Sequence, residues 1–293
     1  FIPGVGQWYA SICHQCLAGC GIVVRVVDGR AKKIEGNPLY PLNRGKLCAR
    51  GQAGLQVLYN PDRIRGPLRR KGPRASGVYE KISWDEGLKI LSDKLRALKD
   101  KGEEPGLWFM SKPLRGNFAW LVDKFLTVFG SHNYLIYEPF SYAPLIKANL
   151  MVFEEERIPV YDLENTNYLL SFSANFLETW LSPVRYGVGF GHMRQGRPGQ
   201  RAKFVQIEPR LSITAANADE WIPIKPGYEG VLALGLAHII LNENLYQAQL
   251  DDPSAWEEAL KEYKPKEVAE LTGVSTDKII QIAREFATRG PSL

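Results

Sequence analysis

The sequence predicts an α/β protein in which a small N-terminal metal-binding lobe precedes a doubly wound parallel sheet. Two observations carry this prediction. All four cysteines of the 293-residue chain lie within its first 48 residues. From about residue 83 onward, short apolar strands alternate with amphipathic helices, which is typical of βαβ units covered on both faces. The composition, with 45% apolar and 24% charged residues, is that of an ordinary globular protein.

The cysteines follow the spacing C-x2-C-x3-C-x27-C, at Cys13, Cys16, Cys20 and Cys48. A local run of cysteines closed by a distant one is the usual ligand pattern of an iron–sulfur cluster. A four-cysteine zinc site normally shows two C-x2-C pairs, which this spacing does not supply. Two disulfides are the other alternative, although a chain of this length has little need of them. The spacing favours a [4Fe-4S] cluster, and therefore an electron carrier or redox enzyme.

The segment between Cys20 and Cys48 is predicted to form a β-hairpin. Apolar and polar positions alternate on either side of Asp28-Gly29, a turn dipeptide, so the hairpin would return the chain to the first three cysteines. Glycines flank the cysteines at Gly19, Gly21, Gly45 and Gly51. They are interpreted equally as turn residues or as places where the backbone approaches the cluster.

The remaining elements follow in order along the chain. Ser83-Trp84-Asp85-Glu86 is a capping box that opens a helix ending near Lys101-Gly102. After it the pattern predicts a buried strand at 106–111, helices at about 117–129 and 142–153, a strand at 167–172, a helix at roughly 178–194, a strand at 202–208 and an apolar helix at 227–242. The last fifty residues carry only helical periodicity.

These elements divide the chain into a cluster lobe at 1–62, a linker at 63–82 and an α/β region at 83–293. The net charge of +5 is concentrated at 63–74, RIRGPLRRKGPR. This basic segment is interpreted as a solvated linker, or as a docking strip for an acidic partner or an anionic cofactor. Nucleic-acid binding is not expected, because no binding motif accompanies the charge. The longest apolar stretch, 230–241, is too short to cross a bilayer, so no membrane span is expected.

Polar residues follow two predicted parallel strands at their carboxyl ends, the edge where open α/β sheets bind ligands. Asn175 follows the strand at 167–172, and Glu208 closes the strand at 202–208. An acidic residue there suits a ribose hydroxyl, and Arg210 or Thr214 suits a phosphate. Capped loops explain the same residues equally well. The absence of G-x-G-x-x-G from the sequence counts against an ordinary NAD enzyme.

Several motifs occur together in a recognisable order: the cysteine pattern ending in CARG, then YNPDRIRGPLRR, SWDEGL and EPRLSITAANADEWIPIKPGYEGVLALGLAHII. This combination resembles the molybdopterin oxidoreductases of the dimethyl sulfoxide reductase family across essentially the whole chain. SFSANFLETWLSPVRY and IYEPFSY are most similar to the membrane-associated branch that includes polysulfide and menaquinone reductases. The resemblance implies α/β domains of the molybdopterin oxidoreductase type that hold molybdenum or tungsten between two pterin guanine dinucleotides.

The resemblance also implies roles for individual residues. Arg50 matches the basic residue that lies between cluster and pterin. The residues that match dinucleotide contacts are Asn175, Glu208, Arg210, Thr214 and Glu229, the last at a guanine-binding position. Ser141 aligns with the metal ligand, where polysulfide-reductase-like catalysts would be expected to have cysteine. A helix N-cap is the other interpretation of Ser141.

Three functional hypotheses follow. The first is an iron–sulfur electron-transfer subunit of a quinone-linked, membrane-associated respiratory complex. The second is a molybdenum or tungsten catalyst acting on a small oxyanion or sulfur compound, and the third is a zinc-stabilised structural subunit. The implied partners are a ferredoxin-like multi-cluster subunit, a quinone-reactive integral membrane subunit and a multihaem cytochrome c.

The implied location is the periplasmic face of the cytoplasmic membrane, reached by the twin-arginine route, whose signal is not in this sequence. The chain begins at Phe1 and lacks the C-terminal β-barrel domain of the family. We therefore expect a fragment, or a fold that another polypeptide completes.

Overall fold

A computed structural model describes residues 3–247 and 249–293. The chain forms two compact units, one comprising Phe1–Leu55 with Val160–Leu293 and the other Gln56–Pro159. Both contain helices and strands, which confirms the predicted α/β class. Among the described helices, none has both the length and the hydropathy needed to span a membrane.

The first unit begins with a three-stranded antiparallel sheet in the order β1 (Gln7–Ile12), β2 (Gly21–Val27), β3 (Arg30–Gly36). The predicted hairpin is confirmed: Asp28 and Gly29 both have positive φ, 49° and 74°, as a tight β2–β3 turn requires. Strand β1 was not predicted, because its residues are exposed on both faces and leave no apolar alternation. Two short helices follow, α1 (Ala49–Gln52) and α2 (Gly54–Leu58), and the division between the units falls within α2, after Leu55.

The second unit contains two small sheets and three helices. Its elements are β4 (Leu68–Arg70), β5 (Tyr79–Lys81), α3 (Trp84–Asp100), β6 (Phe109–Ser111), α4 (Gly116–Phe129), β7 (Tyr134–Ile136) and α5 (Ala143–Phe153). Strands β4 and β5 pair antiparallel inside the expected linker, and β6 and β7 pair parallel. The prediction of a buried strand at 106–111 is wrong, because β6 spans only three residues and Met110 is 67% exposed.

Local sequence signals correctly predicted the start of one of these helices, α3, and the end of another, α4. The Ser83 hydroxyl accepts a hydrogen bond from the Glu86 N–H at 3.1 Å, as the capping box predicts for the start of α3. Helix α4 ends at Phe129, and Gly130 follows with φ of 101°. Glycine reaches this left-handed conformation without steric cost, so it terminates the helix.

The first unit resumes with a parallel sheet and its covering helices. Its elements are β8 (Tyr168–Phe172), α6 (Pro183–Gly191), β9 (Lys203–Ile207), α7 (Ile213–Ala216), β10 (Glu220–Ile222), α8 (Glu229–Asn242), α9 (Pro253–Leu260), α10 (Pro265–Thr272) and α11 (Thr276–Thr288). The strand order is β10-β9-β8. The helix predicted at 178–194 begins later than expected, at Pro183, because the preceding residues fold into a tight turn. After Gly191 it continues as a π-helical turn, His192–Gly196, so its predicted end is close to the observed one.

Alternate strand residues enter two separate cores, one on each face of this sheet. Tyr168 and Val205 pack with α8, α10 and α11 on one side. Leu169 and Phe204 pack with Met193 and residues of α6 on the other. Burial on both faces explains the nearly continuous apolar strands, and it agrees with the predicted doubly wound arrangement.

Candidate cofactor sites

The four cysteines lie on loops that the N-terminal sheet brings together. Cys13 follows β1 and Cys20 precedes β2, and the Cys13 N–H donates to the Cys20 carbonyl at 2.8 Å. Cys48 is the residue that precedes α1. All four side chains, including Cys16, pack in one cluster.

The proximity of these thiols affects the ionisation of Cys20. Cys20 is 4% exposed, and burial raises the pKa of its thiol to about 11, with further contributions from the charges of Cys13, Cys16 and Cys48. None of the four is joined to another by a disulfide, so that alternative is wrong. Within 3–247 and 249–293, no three His, Cys, Asp or Glu side chains are placed to hold a single metal ion. Four thiols, three from the β1–β2 loop and one from the loop before α1, are the donor set of an iron–sulfur cluster.

Asn43 connects the loops that carry Cys20 and Cys48, and the sequence analysis missed it. Its side chain is fully buried, accepts a hydrogen bond from the Gly21 N–H at 3.0 Å, and donates to the Gly21 carbonyl at 2.9 Å. The same amide donates to the Lys46 carbonyl at 2.6 Å. A polar residue buried in an irregular loop produces no periodic signal, so the sequence offered no means of finding it.

Protein contacts account for the glycines of this lobe. A Cβ on Gly36 would lie 2.5 Å from backbone atoms of Gly45, and a Cβ on Gly21 would lie 2.3 Å from the Tyr40 ring. Gly19 and Gly45 have φ of 64° and 78°. Close packing and left-handed turns therefore require glycine at these positions, whatever the lobe binds.

Arg50 lies in α1, two residues after Cys48, and its side chain is exposed. The helix is attached to β3 through Gln52, whose amide donates to the Glu35 carboxylate at 3.0 Å and accepts from Lys33 at 2.8 Å. This attachment fixes the short helix, and with it the backbone position of Arg50.

Ser173 follows the carboxyl end of β8, at the start of a polar segment that also contains Asn175, and it contacts Glu229 at the start of α8. Ser173 has φ of 52°, donates its N–H to the Ile207 carbonyl at 2.9 Å, and donates its hydroxyl to the Glu229 carboxylate at 3.2 Å. Two residues further on, the Asn175 Oδ1 atom is buried, and no hydrogen-bond donor from the described residues reaches it. A buried acceptor normally has a partner, so this atom is available for a ligand.

Glu208 and Thr214 are committed to protein contacts instead. Glu208 is 2% exposed; one carboxylate oxygen accepts from the Ser212 N–H at 2.9 Å and the other from the Gln206 amide at 3.1 Å. The Thr214 hydroxyl is buried and donates to the Glu178 carboxylate at 3.3 Å. These residues shape the loop after β9, whereas Arg210 on the same loop is exposed.

Ser141 lies in the second unit, two residues before the first residue of α5, and is exposed. Its hydroxyl accepts a hydrogen bond from the Ala143 N–H at 3.2 Å, although the capping residue itself is Tyr142. The residue that caps the helix is therefore Tyr142, one residue after the Ser141 cap that the sequence offers as an interpretation. Nearby, the Glu138 Oε1 atom is buried without a hydrogen-bond partner in the described part of the chain.

A four-thiol lobe packed with a parallel sheet whose carboxyl edge is polar defines an iron–sulfur oxidoreductase with a dinucleotide-binding α/β domain. Two family models match in succession: the molybdopterin oxidoreductase Fe4S4 domain at residues 6–60, and molybdopterin oxidoreductase at residues 63–289. The chain belongs to the molybdopterin oxidoreductase family, as the sequence motifs predict.

Individual relatives agree with this assignment. The chain is 33% identical to the menaquinone reductase molybdopterin-binding-like subunit of Nitratidesulfovibrio vulgaris, over 98% of this chain and 40% of the relative. It is 30% identical to the arsenate respiratory reductase molybdopterin-containing subunit of a Shewanella species, over 99% and 37%. For the thiosulfate reductase molybdopterin-containing subunit of Salmonella typhimurium, the identity is 32% over 96% and 36%.

The solved structure of acetylene hydratase from Pelobacter acetylenicus shares the fold, with a TM-score of 0.74 at 22% identity over 97% of this chain and 39% of that chain. This chain therefore spans less than half the length of the relatives that it matches. The family matches confirm the cofactor prediction, a [4Fe-4S] cluster together with a molybdenum or tungsten pterin. The converging thiols and the unpartnered Asn175 oxygen fit these two groups.

Proposed function

We propose that this chain is the cluster-bearing part of a molybdopterin-dependent reductase subunit, and that it carries electrons between the pterin-bound metal and a partner redox centre. The observation that carries the proposal is the convergence of four thiols beside the parallel-sheet domain. In this proposal Cys13, Cys16, Cys20 and Cys48 hold the cluster.

The polar edge of the sheet would hold a pterin guanine dinucleotide. When bound, the cluster supplies one-electron transfer and the pterin metal supplies the substrate chemistry. The Asn175 oxygen would accept a donor from the dinucleotide, and the Glu229 carboxylate, which accepts a hydrogen bond from Ser173, would accept guanine N–H groups. Arg210 places an exposed cation where a phosphate would lie, and Arg50 provides a cation beside the fourth cysteine.

A second candidate is an electron-transfer subunit that contains the cluster but no molybdenum or tungsten. Ser141, the residue aligned with the metal ligand, has no thiol and already accepts a hydrogen bond from the Ala143 N–H. One relative is described as molybdopterin-binding-like, and the same relative is a menaquinone reductase subunit. For this candidate we propose the ferredoxin-like, quinone-reactive and multihaem partners, at the periplasmic face of the membrane.

Elemental analysis of the anaerobically purified holoprotein separates the candidates. We expect about four iron and four sulfide per chain, together with pterin and either molybdenum or tungsten. Iron and sulfide without the heavier metal would select the second candidate. Zinc without iron would overturn both.

Two substitutions test the residue assignments. We expect Cys48→Ala to lose the electron paramagnetic resonance signal of the reduced cluster. Ser141→Ala should abolish viologen-linked reduction of the enzyme's substrate if Ser141 ligates the metal, with arsenate and thiosulfate, named for two relatives, as first substrates. Ser275→Ala is the control, because that exposed hydroxyl makes no capping bond. Unchanged turnover in Ser141→Ala would reject Ser141 as a ligand.

A further inference from the structure

We infer that Asn43 is a positioning residue for the cluster, because its buried amide ties the Cys48 loop to the segment that leaves Cys20. This inference rests on the proposed assignment of the four cysteines as cluster ligands. Asn43 itself supplies no ligand atom. It acts through the backbone on either side of two cysteines.

The contacts of Asn43 engage both its donors and its acceptor. The carbonyl oxygen accepts from the Gly21 N–H, while the amide nitrogen donates one hydrogen to the Gly21 carbonyl and the other to the Lys46 carbonyl. Gly21 is thus held at both of its backbone polar groups, as a neighbouring strand would hold it. The side chain is 0% exposed, so water does not compete for these bonds.

The hydrogen bonds of Asn43 can position cysteines because they are made to residues close to Cys20 and Cys48 in the chain. Gly21 directly follows Cys20, and Lys46 lies two residues before Cys48. The Lys46 N–H also donates to the Asn43 carbonyl at 2.7 Å, so main chain and side chain both fix Lys46. Cys13 is tied to Cys20 by its own backbone bond, whereas Cys48 comes from a distant loop. Backbone bonds from the Asn37 N–H to the Gly21 carbonyl and from the Gly45 N–H to the Asn37 carbonyl hold the same loop. Asn43 adds a buried side-chain link from Gly21 to Lys46, and so tightens the register of the fourth cysteine against the other three.

A matched pair of variants separates this role from general loop stability. Asn43→Leu keeps a side chain branched at Cγ, although a larger one, and removes all three side-chain bonds. Asn37→Ala changes a half-buried asparagine of the same loop whose side chain makes one local bond, to the Leu39 N–H at 3.0 Å. Each variant is made in the full-length holoprotein and purified anaerobically.

The readouts are the rate of iron release to a chelator and the paramagnetic resonance spectrum. The buried hydrogen bonds of Asn43 are expected to stabilise the bound cluster by about a factor of ten. Asn43→Leu should therefore release iron about tenfold faster than the wild type. After mild oxidation it should also give the signal of a three-iron cluster, since the iron at the loosened ligand leaves first. Asn37→Ala should behave as the wild type in both measurements.

The possible results separate a failure of the role of Asn43 from a failure of the assignment of the four cysteines as cluster ligands. If the wild type holds a four-iron cluster and Asn43→Leu matches it in both readouts, the role of Asn43 is refuted. If Cys48→Ala, which supplies no ligand atom, keeps an intact cluster, the cysteine assignment itself fails. If Asn43→Leu loses its native circular dichroism, Asn43→Ser replaces it, because a hydroxyl retains at most part of the bonding. That variant must then show intermediate iron release, and wild-type release would refute the role.

Discussion

Asp219, just before β10, is the acceptor for donors from three chain segments, and its replacement gives a quantitative test of the sheet. Its carboxylate accepts from Arg194 at 2.7 Å, from Arg201 at 2.9 Å and from the Phe204 N–H at 2.8 Å. A second, shorter contact makes the Arg194 pair bidentate. The carboxylate thereby joins β9 to the segment that follows α6.

The expected cost of Asp219→Asn follows from the burial of its main partner. The Arg194 side chain is 11% exposed, and removing one member of a buried ion pair costs about 3–5 kcal/mol. Arg194 keeps a bond to the Ala202 carbonyl at 3.0 Å and lies over the Phe190 ring. These remaining contacts favour the lower end, so we expect a loss of about 3 kcal/mol in the free energy of unfolding.

Denaturant unfolding at pH 7, followed by circular dichroism, measures this loss. Arg201→Ala is the matched control, because that side chain is 59% exposed and its pair with Asp219 should contribute less than about 1 kcal/mol. If both variants lose the same small amount, the Arg194 pair is not the stabilising contact and the reasoning fails.

The pH dependence provides a second check. Burial opposes ionisation of Asp219, but hydrogen bonds from Arg194, the Phe204 N–H and Arg201 outweigh it and lower its pKa from 3.8 to about 2. A carboxyl group with a lowered folded-state pKa stabilises the fold above about pH 4 and loses that effect as the pH falls towards 2. The difference in the free energy of unfolding between the wild type and Asp219→Asn should therefore become smaller as the pH falls from about 4 towards 2.

Two further substitutions probe the lobe and a helix start. Gly36→Ala should reduce the iron content of the purified protein by at least half, because its Cβ would lie 2.5 Å from the Gly45 backbone; Gly66→Ala, with open space around it, should leave the content unchanged. Ser83→Ala should lower the free energy of unfolding by about 1 kcal/mol through loss of a helix cap, whereas Ser275→Ala, whose hydroxyl makes no capping bond, should not.

Sequence reasoning succeeded where the determining contacts are local. The Ser83 cap and the Gly130 terminator act within one helical turn, and both were placed correctly. Strand β10 was missed because a strand of three residues is too short to show alternation. The buried strand expected at 106–111 was wrong for a different reason. Apolar composition predicts burial, yet Trp108 and Met110 are 64% and 67% exposed among the described residues.

The same distinction between local and distant contacts applies to the candidate sites. Cysteine spacing can be read directly, because the ligand chemistry requires those residues at those positions. Glu208 also stood at its predicted strand end, but its carboxylate contacts Ser212 and Gln206, which the sequence could not reveal. Asn43 was missed, and the contact of Ser173 with Glu229 was not foreseen, because each acts on groups far away in sequence. Residues of this kind are defined by tertiary contacts alone.

One short connection relates the two candidate cofactor sites to each other. It leaves β8 at the polar edge, where the Asn175 carbonyl accepts three successive N–H groups from residues 178–180 and folds the chain tightly. Ser182 then caps α6, and Val184 in its first turn packs against Cys20. The segment that positions the unpartnered Asn175 oxygen therefore also supports the cysteine cluster. This shared support explains why the cluster lobe belongs to the same compact unit as the parallel sheet, although 104 residues of the other unit separate them in sequence.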